Sequence, residues 1–280
     1  MERQQSFCND KATLYLVATP IGNLDDFSFR AINTLKMVDI IYCEDTRVSI
    51  NLLKHYNIDT HIACYHEFNK DAQGISIIKN LKDGKNVGLI SDAGMPVISD
   101  PGYDIAQLAI EEGFNVVAVP GANAALSALI ISGLAPMPFT FYGFLDSKEQ
   151  KRKKELLELK DKKETLIFYE SPHRIFKTLS DILDICGDRK IALVRELTKK
   201  FEEVIRGNIS EVLEIVSELK GEMVIILDGN KEEKTYDHMT IIEHVNLYIK
   251  EGLKTNDAIK RVANDRNIPK QDVYKQYHCQ

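Results

Sequence analysis

Several short clusters combine small, acidic and cationic residues at spacings that suit chemistry on a bound ligand. Thr19-Pro20-Ile21-Gly22-Asn23 ends the first apolar run. A turn at the carboxyl end of a first parallel strand is where open α/β sheets bind ligands. It carries one glycine, so it is no GxGxxG and a dinucleotide site is disfavoured. Ser91-Asp92-Ala93-Gly94-Met95-Pro96 is followed by Ser99-Asp100-Pro101-Gly102. Residues this small let a ligand lie against the backbone and bond to main-chain groups. Val119-Pro120-Gly121-Ala122-Asn123 opens a helix straight after a strand, where free N–H groups face outward. Glu44-Asp45-Thr46-Arg47 pairs acids with a cation, as a substrate contact or as a helix cap. Tyr169-Glu170-Ser171-Pro172-His173-Arg174 and Arg195-Glu196-Leu197-Thr198-Lys199 bring acids, a histidine and cations to strand ends, suited to a polar or phosphorylated substrate.

The elements that must position these loops alternate along the chain. Apolar, β-rich runs at 13–18, 39–43, 86–91 and 115–119 read as strands, and 30–38, 74–83, 104–112 and 122–132 as helices. Nearly continuous apolar strands belong to a mostly parallel sheet covered on both faces. After Gly133 the pattern changes. Strands are expected at 139–145, 164–169, 190–195, 201–209 and 222–227, with helices at 150–159, from Ser171-Pro172 to about Cys186, and at 210–219. Ser as N-cap with Pro at the first position is a helix-start signal. This half reads as a mixed α/β layer of its own. The expected organisation is a disordered lead over 1–11, an α/β domain over 12–134, a second over 135–229, a linker over 230–239 and a helical domain over 240–280. In the last, helices are expected at 240–250, 255–267 and 269–277, with Thr255 and Asn256 as N-cap choices.

Composition narrows the function classes. The 280 residues are 44% hydrophobic and 28% charged, the profile of a globular protein. No apolar run reaches the roughly 20 residues of a bilayer span, and the polar first 11 residues hold no signal-peptide core. The expectation is a cytoplasmic protein with no membrane partner. Five cysteines, none in a CxxC pair, point to no metal site and no disulfide framework, with Cys43 and Cys186 as small core residues. Net charge is -6, yet residues 245–280 hold seven Lys/Arg against four acids, leaving -9 for the rest. A second basic cluster is Lys148, Lys151, Arg152, Lys153 and Lys154. Local basic patches on an acidic body still attract a polyanion, because phosphate contact follows the local field.

Taken in order, ATPIGNLDD (18–26), CEDTR (43–47), YHEFN (65–69), SDAGMPVISDPG (91–102), VPGANAALSALIISGL (119–134), GFLDSKEQKRK (143–153), FYESPHR (168–174), VRELTKKFEE (194–203) and GEMVIIL (221–227) resemble one family. It is that of the bacterial 16S ribosomal RNA cytidine 2'-O-methyltransferases, in the tetrapyrrole-methylase-like (class III) superfamily. AIKRVA (258–263) and VYKQYH (273–278) resemble its small appended domain. The sequence departs from the family at Met95, where Thr is usual, at Asn123, where Ser is commoner, and at Asp146, where Pro is common; Met95 bears on cofactor affinity.

The resemblance implies two α/β/α domains with S-adenosylmethionine in the cleft between them, a homodimer, and a cytidine in the decoding centre of the small ribosomal subunit as substrate. It puts the cofactor against Pro20, Asp92, Ala93, Gly94, Met95 and Pro96, then Pro120, Gly121, Ala122 and Tyr169. Arg47, Arg174, Arg195, Lys260, Arg261, Arg266 and Lys270 are the candidate RNA contacts. A ribose hydroxyl is a poor nucleophile, so a base adds about 10²–10⁴ in rate. Glu170, His173, Glu196 and Lys199 all stand as candidates, Lys199 on condition that burial or Arg195 lowers its pKa. A tetrapyrrole C-methyltransferase and a non-catalytic RNA-binding assembly protein are the rival readings. The first leaves the basic tail without a role, and the second leaves the small-residue loops without one.

Overall fold

The structure is a computed structural model that describes residues 3–231 and 239–278. It divides into two compact units, Met1–Asn230 and Lys231–Gln280. Most of the expected linker, 232–238, lies outside the described residues.

The larger unit begins with β1 (Thr13–Val17), α1 (Phe29–Met37), β2 (Ile40–Cys43), α2 (Thr46–His55), β3 (Ile62–Cys64), α3 (Lys70–Lys82), β4 (Val87–Ile90), α4 (Tyr103–Glu111) and β5 (Asn115–Val119). Its strands form one parallel sheet in the order β3-β2-β4-β1-β5. Side chains alternate across the pleat. Leu14, Tyr42, Val87 and Leu89 face a layer of Ile77, Leu81 and Ile105 from α3 and α4. Val17, Ile41, Cys43 and Ile90 face Ala31, Leu35 and Leu53 from α1 and α2. Each such fully buried aliphatic chain stabilises the fold by about 1.5–3 kcal/mol.

Next come α5 (Ala124–Ser132), β6 (Phe139–Phe144), α6 (Glu149–Leu159), β7 (Thr165–Glu170), α7 (Ile175–Cys186), β8 (Lys190–Arg195), β9 (Glu203–Asn208), α8 (Ile209–Ile215) and β10 (Met223–Leu227). The second sheet runs β6-β7-β10-β8-β9, with β6 and β7 parallel and the other pairs antiparallel. One face, with Leu166, Phe168, Leu193 and Ile225, is covered by α6, α7 and α8. The other, with Ile167, Ala192, Val194, Val224 and Ile226, is covered by Ala125, Ala128 and Leu129 of α5. So α5 follows the first sheet in sequence but packs on the second. Asn123 N-caps it, accepting from the Leu126 N–H at 2.9 Å, and serves there as Ser would. Buried Arg152 of α6 donates to Asp181 of α7 from Nε (2.7 Å) and Nη2 (2.6 Å). This arginine of the second basic cluster is therefore an internal tie.

Several local expectations change. α2 and β3 are additional elements: α2 buries only Ser49 and Leu53, and β3 has three residues, too few to show a period. Ser171–Arg174 is a turn in which Ser171 O accepts from both Arg174 N and Ile175 N, so the helix starts at Ile175 rather than at Pro172. Residues of the expected disordered lead are tied to the sheet edge. The Gln4 carboxamide donates to Val116 O (2.9 Å) and accepts from Val116 N (3.1 Å), standing in for the strand that edge-strand β5 lacks.

The smaller unit holds α9 (Ile241–Lys250), α10 (Thr255–Asp265) and α11 (Lys270–His278) around Val245, Ile259, Val262 and Val273. A capping box of Thr240 and Glu243 opens α9. α10 is capped at Lys254 without a side-chain bond, so neither Thr255 nor Asn256 takes that place. No helix among the described residues is long and apolar enough to cross a membrane.

Candidate active site

The loops after β1, β4 and β5 are fused at one rim of the parallel sheet. Thr19 and Gly94 exchange both backbone hydrogen bonds, N–H to O at 2.8 and 3.1 Å. The Thr19 hydroxyl donates to Ser91 O (3.1 Å), and the Ser91 hydroxyl to Gly94 O (3.1 Å). Gly94 has φ +83°, and a Cβ there would meet Ile21 Cγ2 at 3.3 Å. Gly121 lies so near the first loop that a Cβ would come 2.9 Å from Ala18 Cβ. Val97 (φ 78°) and Ser99 (φ 64°) continue the β4 loop in left-handed backbone. For a β-branched residue that conformation is a true outlier, costing on the order of 1–3 kcal/mol, and such strain gathers at functional sites.

The second sheet supplies the opposite wall. β10 is antiparallel to its neighbours, so Met223, at its start, stands opposite Glu170 of β7 and Arg195 of β8, at their ends. The Tyr169 hydroxyl accepts from Ala125 N at the start of α5 (3.2 Å), which ties the two sides together. Between them lies a cavity of about 370 Å³. That falls within the roughly 300–1,000 Å³ of small-molecule sites. Ile21, Ile98, Phe144, Leu197 and Val224 give it apolar walls, and Asp92, Asp100, Glu170 and Glu222 are its carboxylates.

Of the residues expected at a cofactor, Asp92, Ala93, Gly94, Met95 and Tyr169 line the cavity, while Pro20, Pro96, Pro120, Gly121 and Ala122 do not. Pro20 and Pro96 are buried behind the loops they shape. Gly121 packs on Ala18, and Ala122 O lies behind Gly94. The apolar walls were not foreseen, since Ile21, Ile98, Phe144, Leu197 and Val224 look like any core residues in sequence. Asp100, noted only as part of a loop, is a lining residue.

The proposed bases fare unequally. Glu170 lines the cavity but is 3% exposed and fully engaged. It accepts from Ser171 N (2.8 Å) and the Thr178 hydroxyl (2.5 Å), with Arg174 Nε at 3.2 Å. Lys199 Nζ sits 3.2 Å from Glu196 Oε1 and 3.0 Å from Glu222 Oε2. Burial pulls its pKa down, but the two carboxylates outweigh burial and the net shift is upward. The condition for Lys199 as a base is therefore not met, and it stays an ammonium. Glu196 is held by that lysine and by Glu222 N (3.2 Å). His173 is exposed and outside the lining.

A group of carboxylates gathers beside the cavity. Burial raises the pKa of Asp92, against a hydrogen bond from Asp45 N (3.1 Å). Burial, then Asp92, raises that of Glu44. Burial, then Glu44 and Asp92, pushes Asp100 up to about 6. Clustered shifts of this kind mark functional sites more often than purely structural ones.

The expected RNA contacts also divide. Arg174 Nη2 donates to Leu145 O (2.7 Å), and Arg195 bonds Glu203 and Lys220 O. Arg266 donates to Met239 O (2.6 Å) and His244 Nδ1 (3.2 Å). These three arginines hold the protein together. Arg261 Nε lies 3.5 Å from Asp265. Arg47 is exposed yet chelates Asp45 and holds its carboxyl down to about 2. Lys260 and Lys270 are exposed on the smaller unit. Among the described residues no group of three or more His, Cys, Asp or Glu could hold a metal ion.

Residues 13–213 match the family described as Tetrapyrrole (Corrin/Porphyrin) Methylases. The chain is 51% identical to the Ribosomal RNA small subunit methyltransferase I of Bacillus subtilis (strain 168), covering 99% of each chain. It is 37% identical to the protein of the same name from Synechocystis sp., covering 94% of this chain and 96% of that one. Among solved structures, it is similar to uroporphyrin-III C-methyl transferase from Thermus thermophilus complexed with S-adenyl homocysteine. That likeness has a TM-score of 0.56 and 20% identity over 78% of this chain and 97% of that one, and it shows the fold alone.

Proposed function

The chain belongs to the tetrapyrrole (corrin/porphyrin) methylase family and, within it, to the ribosomal RNA small subunit methyltransferase I proteins; from that membership we propose that it methylates the ribose 2'-hydroxyl of a cytidine in the 16S rRNA decoding centre. S-adenosylmethionine is the methyl donor. The observation that carries the reading is 51% identity spanning 99% of the chain, so that the likeness includes the appended helices as well as the cavity.

The cavity suits the donor. Apolar walls take an adenosyl group, the Gly94 backbone admits close approach, and Asp92 favours a cation. When bound, the donor supplies an electrophilic methyl carbon on a sulfonium. The protein's own part is chiefly to hold hydroxyl and methyl in line, and such positioning supplies up to roughly 7–11 kcal/mol. The exposed lysines of the smaller unit hold rRNA phosphates, and that unit does no chemistry. The assembled small subunit or a late intermediate is the substrate, because protein recognition of RNA relies heavily on shape. The enzyme works in the cytoplasm as a homodimer.

Mass spectrometry of small-subunit RNA from cells with and without the protein tests the reading. A ribose-methylated cytidine present only with the protein supports it. An unchanged methylation pattern, beside purified protein that methylates a tetrapyrrole, would favour the C-methyltransferase. Purified, folded protein without affinity for S-adenosylmethionine would favour a non-catalytic assembly role. Efficient methylation of short naked RNA would remove the subunit requirement, and a concentration-independent monomer mass in sedimentation would remove the dimer.

A further inference from the structure

We propose that Asp100 is the general base that takes the proton from the substrate hydroxyl, because it is the one cavity-lining carboxylate that no other described group holds. The assignment rests on the ribose-methylation reading above. Four carboxylates line the cavity. Asp92 accepts from Asp45 N, Glu170 has three partners, and Glu222 is bonded to Lys199. Asp100 accepts no hydrogen bond and makes no ion pair among the described residues. Its loop is set by the left-handed backbone of Val97 and Ser99 on one side and of Gly102 (φ +139°) on the other. A Cβ on Gly102 would meet Leu89 Cδ2 and Val97 Cγ2 at 2.9 Å, so the loop is pinned against the sheet.

The groups that face Asp100 are Glu44 beyond β2, Asp92 beyond β4, and Tyr169 on β7. None is a cation. Burial, then the Glu44 and Asp92 carboxylates, raises its pKa to about 6. At pH 7 such a carboxylate is mostly ionised, yet about a hundred times more basic than an ordinary aspartate, near the optimum for a base working at neutral pH. In the step, the hydroxyl proton passes to an Asp100 carboxylate oxygen while the ribose oxygen uses an electron pair to bond the methyl carbon. The breaking C–S bond returns its pair to sulfur, leaving a neutral thioether. The proton then leaves Asp100 for solvent.

Asp100→Asn and Asp100→Glu test the assignment in the full-length protein, with small subunits as substrate. For Asp100→Asn, calorimetry should show S-adenosylmethionine affinity within threefold of wild type, while single-turnover rate falls by about 10²–10⁴. Wild-type rate should rise tenfold per pH unit up to about 6 and then level off, and this limb should vanish in the variant. Asp100→Glu, with a displaced carboxylate, should recover part of the rate and the limb. Independently of turnover, a carbon-13 carboxyl signal present in wild type and absent from Asp100→Asn should titrate near 6. Titration near 4 overturns the proposal. So does an affinity loss above tenfold with the rate retained, which would make Asp100 a donor-binding residue. A retained rate in Asp100→Asn with active wild type overturns this assignment alone, whereas wild type inactive on ribose overturns the functional reading with it.

Discussion

Thr19 and Gly94 are joined by a reciprocal pair of backbone hydrogen bonds, which fixes the β4 loop to the end of β1. The pairing requires Gly94 at φ +83°. Gly94→Val forces a β-branched residue into that backbone and drives a side chain toward Ile21. S-adenosylmethionine binding should weaken at least tenfold, about 1.4 kcal/mol. Calorimetry on protein that retains its native circular dichroism checks this, and unchanged affinity would sink the placement.

Arg152 and Asp181 form a buried pair between α6 and α7. Asp181→Ala leaves a guanidinium buried without its carboxylate and should cost about 3–5 kcal/mol in urea unfolding. Replacing both residues by leucine should recover most of the loss. A double mutant no more stable than Asp181→Ala would show that the site needs the charges for more than mutual compensation.

In the smaller unit, Lys260→Glu with Lys270→Glu should weaken small-subunit binding and lower its salt slope by roughly 0.7–0.9 per lost phosphate contact. S-adenosylmethionine affinity should stay constant. Arg266→Ala should instead melt the three helices, because Arg266 bonds Met239 O and His244. Binding measured between 50 and 300 mM salt, beside thermal melts, separates the two effects. An unchanged slope in a folded double mutant would remove these lysines from the interface.

Asp100 also carries a stability signature. Its folded pKa of about 6 stands above the ordinary aspartate value of about 4. The ionised carboxylate therefore opposes folding: the penalty is absent below about pH 4, grows between 4 and 6, and is complete above. Asp100→Asn should raise Tm at pH 8 by about 2–4 °C, allowing about 1 kcal/mol after solvent screening. At pH 4.5 the gain should be smaller. Equal gains at both pH values would mean that charge is not the cause.

The loop chemistry was readable because close backbone approach leaves little choice of residue. Gly94, Gly102 and Gly121 meet neighbours that a side chain would crowd or displace. The parallel sheet was readable because strands covered on both faces lose the polar half of their alternation. What escaped was pairing. Arg174, Arg195 and Arg266 look like free cations until the fold brings up their carbonyl and carboxylate partners, and Glu170 looks like a catalytic acid until Ser171, Thr178 and Arg174 close on it. α2 escaped because a helix with two buried residues has almost no apolar stripe. The apolar cavity walls escaped because lining a ligand and lining a core call for the same side chains.

The packing of α5 on β7, β8 and β10 sets an order of events during synthesis. Ala124–Ser132 leaves the ribosome as an uncharged, apolar segment, and the sheet that will cover it is complete only with Met223–Leu227. At the usual pace of translation that interval is on the order of ten seconds. Until then the helix and the half-built sheet each expose a sticky face. A nascent chain stalled short of β10 should therefore be a chaperone client, and release of that chain should coincide with the moment the cavity gains its second wall.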